Sequence, residues 1–288
     1  MIIDLGKLEA SELSRKIFSV EKVFGELHRT QLQIDRTALS SGGEVPAEAL
    51  HGYQRRLLGN LRTEVFDIFD WFTARGHSRS LETALLPPNL RDYCDHVSSS
   101  DVFDFVERSG IPIYGVPRGE IALQLIEADT IEKRRHLLNR YFFQILDDCE
   151  TAIAASKANS VAKLRPFAEE ALEATRDGFT KAAQALFTTV LDTLLMNCWK
   201  TDLGMKKKLG HRKRNGAVPE EFEELTVREA LVWLPVWNSH SEYWPNQNFP
   251  APYEYSRHAS VHHVSAAQYS KRNCVQAAML VSSIFLSR

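Results

Sequence analysis

Arg257, His258 and His262 stand close together in the run Arg257-His258-Ala259-Ser260-Val261-His262, with His263 directly after it. If this run is helical, Arg257 and His262 are five apart and His258 and His262 four apart, so one face can carry all three. The set suits phosphodiester chemistry. An imidazole can take and return a proton near neutral pH. A guanidinium can hold a phosphate through two parallel hydrogen bonds. RNA brings its own nucleophile, the 2′-hydroxyl, so a base beside a cation would suffice for cleavage with no metal or other cofactor. His262 would be general base or acid, Arg257 would stabilise the transition state, and His258 would position the phosphate or tune the other imidazole. A metal reading competes: His258 and His262 could present two ligands to zinc, with Asp192 or Glu254 as a third. However, Ala259-Ser260-Val261 puts no glutamate between them, and no cysteine cluster is near. Taken alone, the spacing also fits histidines that merely cap a helix or satisfy buried polar groups.

Other residues could serve the same chemistry. The stretch Lys206-Lys207-Lys208-Leu209-Gly210-His211-Arg212-Lys213-Arg214 reads as a basic loop able to grip RNA phosphates, with Glu220-Glu221-Phe222-Glu223-Glu224 following to neutralise part of it. Trp244 and Tyr253, nearest the motif in an aromatic and proline-rich loop from His240 to Tyr255, are candidates for stacking on unpaired bases. Trp233 and Trp237, four apart on a helix, read as core. Glu173, Asp177 and Asp192 could orient an imidazole from a neighbouring helix, although an exposed, salt-bridged helix face explains them as well.

Helical periodicity dominates the chain that must position these groups. Amphipathic helices are expected over Ser11–Leu39 and from Pro46 to about Ala74, with a short piece at Leu81–Leu85. Longer ones are expected over Arg118–Ala155 and Arg165–Trp199, then Thr226–Trp237 and Lys271–Leu286. Only Val102–Val106 and Ile111–Val116 look strand-like, and Pro112 and Pro117 make the second a poor central strand. The small polar run Ser156-Lys157-Ala158-Asn159-Ser160 suggests a boundary between an N-terminal helical domain, 1–160, and a C-terminal domain, 161–288. The latter carries 16 Lys and Arg against 13 Asp and Glu, while the first 160 residues carry 19 against 24. That modest excess is compatible with a nucleic-acid task for the C-terminal part. With 288 residues, 44% of them hydrophobic and 25% charged, the chain can bury a sizeable core. Cys94, Cys149, Cys198 and Cys274 form no Cys-x-x-Cys pair, which argues against a zinc ribbon or a disulfide framework. The start, Met1-Ile2-Ile3-Asp4-Leu5-Gly6-Lys7, is charged too early for a signal peptide, and no apolar run approaches the ~20 residues of a membrane span. A soluble, cytoplasmic protein with no membrane partner is expected.

The motif segment resembles the signature of the HEPN superfamily: an arginine, a polar residue, a few further positions and a histidine. Arg257, His258 and His262 fill those places with a four-residue gap. Tyr269, Asn273 and the apolar stretch Cys274–Leu286 look like that family's closing helix. The stretch from Ala171 to Phe179, leading into Ala182-Ala183-Gln184-Ala185-Leu186, is similar to its first long helix. The resemblance spans roughly 165–288. His263 stands where related sequences often carry glycine, so His262 and His263 both remain candidates, and the usual spacing selects His262. The resemblance implies an all-α chain whose C-terminal part is a HEPN-like helical bundle, forming a homodimer in which two motifs face each other. It further implies a metal-independent endoribonuclease that leaves a 2′,3′-cyclic phosphate and acts as a toxin or anti-phage effector. Residues 1–160 would then sense, restrain or recruit a partner. The alternative it leaves is a non-catalytic module for dimerisation or RNA binding.

Overall fold

Local chemistry at the helix ends sets most element boundaries. The computed structural model describes residues 83 and 85–288, apart from 214–215, 220, 223–224 and 245–249. The helices expected over Ser11–Leu39 and Pro46–Ala74, most of the piece at Leu81–Leu85, and Arg214 lie outside the described residues. After a 3-10 turn over Pro88–Tyr93, α1 spans Ser99–Ser109. Its start is fixed by a capping box between Ser98 and Asp101, and its end by Gly110 in the left-handed region at φ 63. The strand-like composition of Val102–Val106 therefore sits inside a helix.

The long helix expected over Arg118–Ala155 is three: α2 Gly119–Glu127, α3 Ile131–Arg140 and α4 Phe142–Ala155. Thr130 forces the first break, because its side chain accepts from the N–H of Lys133 and caps α3. A short α5, Asn159–Ala162, leads to α6 Arg165–Arg176 and α7 Thr180–Cys198. These two replace the single helix expected over Arg165–Trp199, and Gly178 at φ 90 turns the chain between them. The series continues with α8 Leu203–Leu209, α9 Val227–Ser239, α10 Arg257–His262 and α11 Lys271–Ser287. A second capping box, Thr226 with Glu229, opens α9 where the sequence predicts it. Among the described residues there is no strand, only an isolated bridge between Arg212 and Ser241. The described part of the chain is all-α.

Helix α11 is buried from Asn273 through Phe285, and α4, α7 and α9 pack around it. A helix apolar on every side belongs at the centre of a core. Its few polar side chains are satisfied. Gln276 donates to the Gly110 carbonyl at 3.1 Å and Ser283 to the Tyr114 carbonyl at 3.0 Å. These bonds explain why Ile111–Val116 needs no strand partner: it is an extended segment laid on α11, with Ile113 and Val116 buried. The core also runs through the boundary expected near 160, since Ile145, Leu146 and Ile153 of α4 share it with Leu191 and Leu194 of α7 and Ile284 of α11. The described structure does not separate the chain there. Cys149, Cys198 and Cys274 are free thiols. Cys149 on α4 and Cys274 on α11 are fully buried, and burial pushes their thiols up to about 12 and about 11. No helix among the described residues is long and apolar enough to cross a membrane.

Candidate active site around Arg257 and His262

The motif does form a helix. α10 is only six residues long, too short to persist on its own, so its neighbours must hold it. Ser256 caps it, accepting from the N–H of Ala259. Behind it sits the fully buried Gln268. The Gln268 carboxamide oxygen accepts from the Ser256 N–H at 2.8 Å and the Ser260 hydroxyl at 3.2 Å. Its nitrogen donates to the carbonyls of Pro252 and Glu254 at 3.1 and 3.0 Å. The Gln268 backbone carbonyl in turn accepts from Gln184 and Asn273. One buried side chain thus ties together the loop before α10, the cap and the turn after it.

A polar stripe on α7 supplies the rest. Gln184, Thr188 and Asp192 are four apart and lie on one helical face. Gln184 donates to Ser260 at 3.0 Å, Thr188 shares a 2.9 Å hydrogen bond with the Tyr255 hydroxyl, and Asp192 grips Arg257. Arg257 Nε donates to both carboxylate oxygens at 2.9 Å, and Nη2 donates to Oδ2 at 2.6 Å. His240, at the C-terminal end of α9, approaches the same carboxylate, with Nε2 at 3.5 Å from Oδ1. His240 Nδ1 lies 2.7 Å from the Val236 carbonyl, which can only accept, so that nitrogen carries a hydrogen. Burial raises the Asp192 pKa, but the contacts with His240 and Arg257 outweigh it and hold the carboxyl below its ordinary range. Asp192 fixes the guanidinium in a two-pronged contact and leaves Nη1 without a hydrogen bond among the described residues.

The imidazoles gather around His258. The His258 ring stacks on that of His262, centroids 6.2 Å apart, and meets His240 and His211 edge-on at 6.3 and 6.4 Å. Desolvation, then the charge of Arg257 and the other histidines, pushes the His258 pKa down to about 4. Its Nε2 is buried without a hydrogen-bond partner. At neutral pH His258 is therefore a neutral ring and not a cation. His262 is solvent-exposed at the last position of α10. His263 follows in extended backbone and turns its ring toward Tyr243, at 5.9 Å. The two imidazoles left open by the sequence thus differ in surroundings, and His262 is the one stacked within the cluster.

The other candidates scatter. Lys206, Lys207 and Lys208 lie on helix α8, with Lys208 paired to Glu221 at 3.0 Å, so much of the expected loop is helical. The segment still reaches the motif, because His211 packs on His258 and backbone bonds tie Arg212 to His240 and Glu242. Lys213 is exposed, whereas Arg212 is half-buried, hydrogen-bonded to Asn238 and lying over the Trp237 ring at 4.4 Å. Trp233 and Trp237 are core, as expected, while Trp244 and Tyr253 keep 52% and 63% of their surfaces exposed. Glu173 and Asp177 are exposed, and Asp192 alone of the three candidate carboxylates meets an imidazole. Among the described residues no three His, Cys, Asp or Glu side chains converge as metal ligands would. Sequence reasoning missed His211, His240, Gln184 and Gln268. Four-residue spacing of polar groups on apolar α7 could have revealed Gln184, but the other three come from loops and a helix end with no periodic signal. Compared with protein-family models, with curated proteins and with solved structures, the chain matches none.

Proposed function

We propose that this chain is a metal-independent endoribonuclease of the HEPN type. The observation that carries the reading is an exposed imidazole, His262, on the same short helix as an arginine oriented by Asp192. In the proposed reaction neutral His262 takes the proton of a ribose 2′-hydroxyl as its oxygen attacks the adjacent phosphorus. Arg257, through the hydrogens not committed to Asp192, stabilises the charge that grows on the phosphorane oxygens. The bond to the 5′-oxygen breaks, a protonated imidazole returns a proton to it, and the products are a 2′,3′-cyclic phosphate and a 5′-hydroxyl. A second copy of the chain across a twofold axis would supply that imidazole. Val261 and Val264, 51% and 86% exposed beside His262, are in keeping with such a pairing.

The reading is tested with purified full-length chain on single-stranded RNA in excess EDTA. Wild type is expected to cleave to cyclic-phosphate ends, while His262→Ala and Arg257→Ala lose at least ~100-fold in rate, the scale of a lost acid–base group. Arg257→Lys, which keeps a cation against Asp192, controls for folding. Full-rate cleavage in both alanine variants, or none in wild type, removes the assignment. Light scattering on the same samples tests the dimer. As a toxin or anti-phage effector the wild type would arrest growth of its host where His262→Ala would not, and a partner acting through residues 1–160 would restrain it. A non-catalytic dimerisation or RNA-binding module is the second reading, favoured by one observation: the Arg257 guanidinium is already partly spent on Asp192.

A further inference from the structure

Three clefts adjoin along one side of the described structure, and cations from four separate segments line them. The first, about 420 Å³, lies between α3 and the start of α11 and is walled by Arg135, His136, Lys271 and Arg272. The second, about 130 Å³, shares Arg135 and Arg272 with the first and adds Arg108, Arg134 and Tyr253. The third, about 440 Å³, shares Arg108 and Tyr253 with the second and runs on past Arg212 and Trp244 to Ser256. Each shares wall residues with the next, so the three lie side by side and are together called the groove. It ends beside the motif: Ser256 precedes Arg257, and Ser239 and Ser241, also in the wall, flank His240.

The charges of this groove are only partly answered. Glu132 and Glu254 line it, yet among the described residues neither pairs with Arg135, Lys271 or Arg272, while Glu242 in the same wall lies 3.8 Å from His211. Arg108 pairs with Asp104 at the surface, and Arg134 donates to the Ala128 carbonyl. Arg135 lies over the Tyr253 ring at 5.1 Å and Lys271 over Phe142 at 5.5 Å. Burial and the nearby charge of Arg135 both press on the Arg272 guanidinium. Like charges held this close cost free energy that a bound anion would recover. Exposed Tyr253 and Trp244 offer flat apolar faces at intervals along the same path.

We infer that this groove is the track of a single RNA strand, its phosphates held by Arg135, Arg272, Lys271 and Arg108 and its bases stacked on Tyr253 and Trp244, feeding a phosphodiester toward Arg257. The identity of the strand rests on the ribonuclease reading; the groove rests on its own geometry. Cations together with exposed aromatic rings suit unpaired nucleotides, whose bases are free to stack. A duplex keeps its bases paired and stacked inside the helix, so they could not stack on Tyr253 and Trp244.

The test uses full-length His262→Ala, so that bound RNA stays intact, with a fluorescein-labelled twelve-nucleotide oligouridylate in EDTA. Anisotropy titrations at several salt concentrations give affinity and its salt dependence. Arg135→Glu/Arg272→Glu is expected to weaken binding at least ~10-fold and to lower the salt slope by about 1.4, since each phosphate contact on a single strand contributes about 0.7. Tyr253→Ala is expected to cost about tenfold, the scale of one lost stacked base. Lys157→Glu/Lys163→Glu, an equal charge change away from the groove, should alter neither by more than about twofold. Melting curves check that each variant folds, and Arg135→Gln gives a milder second probe. An unchanged affinity in the arginine reversal, or an equal loss in the remote control, overturns the groove. So does tight, reversal-sensitive binding to phosphatidylserine vesicles with RNA affinity untouched. The two readings fail separately: RNA bound through the groove but never cut by wild type removes the nuclease alone, and cutting with KM unchanged by the reversal removes the groove alone.

Discussion

At the scale of single residues, Asp192 and His258 decide what Arg257 and His262 can do. Asp192 trades some of the guanidinium's charge for orientation, because a carboxylate in a two-pronged contact fixes the plane of the fork. His258 pulls the other way. It is hemmed in by Arg257, His240, His262 and His211, and its folded pKa of about 4 lies below the unfolded 6.5. Between those values the unfolded chain binds the proton and the folded chain refuses it. This contribution to stability is therefore complete above about 6.5 and is lost as the pH falls toward 4. Discounted for the ring's partial exposure, the loss amounts to about 1–2 kcal/mol. Denaturant titrations between pH 7 and 4.5 check this on the difference between wild type and His258→Phe. The wild type should lose that much more than the variant over the window, and parallel curves would refute the assignment.

At the scale of elements, α10 is a helix by permission of its neighbours, and Gln268 is the chief of them. Gln268→Leu keeps the bulk but leaves the Ser256 N–H and the Pro252 and Glu254 carbonyls without the partner they now have. The expected cost is about 2–4 kcal/mol in urea unfolding, the scale of several buried groups left unsatisfied. RNA cleavage should fall with it, and a loss under ~0.5 kcal/mol would show that the loop reorganises freely. This element also marks where sequence reading succeeds and stops. The helix start at Thr226, the core pair Trp233 and Trp237, and the shared face of Arg257, His258 and His262 are legible, because local periodicity fixes them. The breaks at Thr130 and Gly178 were masked by apolar patterns that run on through them. Gln268 and His240 could not be read at all, since their importance lies in contacts with chain distant in sequence. Arg135 and Arg272 join the groove for the same reason, from helices with unremarkable charge patterns.

At the scale of the whole described structure, the change of composition near 160 is not a change of core. The polar run there leads into the short α5 and is anchored by buried Ser156 and, just after it, buried Val161, while α4 before it and α11 at the far end pack as close neighbours. A surface turn and a domain linker have the same composition, and only the packing on either side tells them apart.

The two sealed thiols make that continuity measurable. Cys149 and Cys274 sit on opposite sides of the turn, yet each is fully shielded and far too weakly acidic to offer a thiolate at neutral pH. A thiol reagent can therefore modify either one only in moments when the interior opens. With slow modification, mass spectrometry of peptides from the intact chain should find both sulfurs alkylated in step, well behind partly exposed Cys94 and Cys198. Two clearly different half-times would mean that the halves of this interior breathe independently.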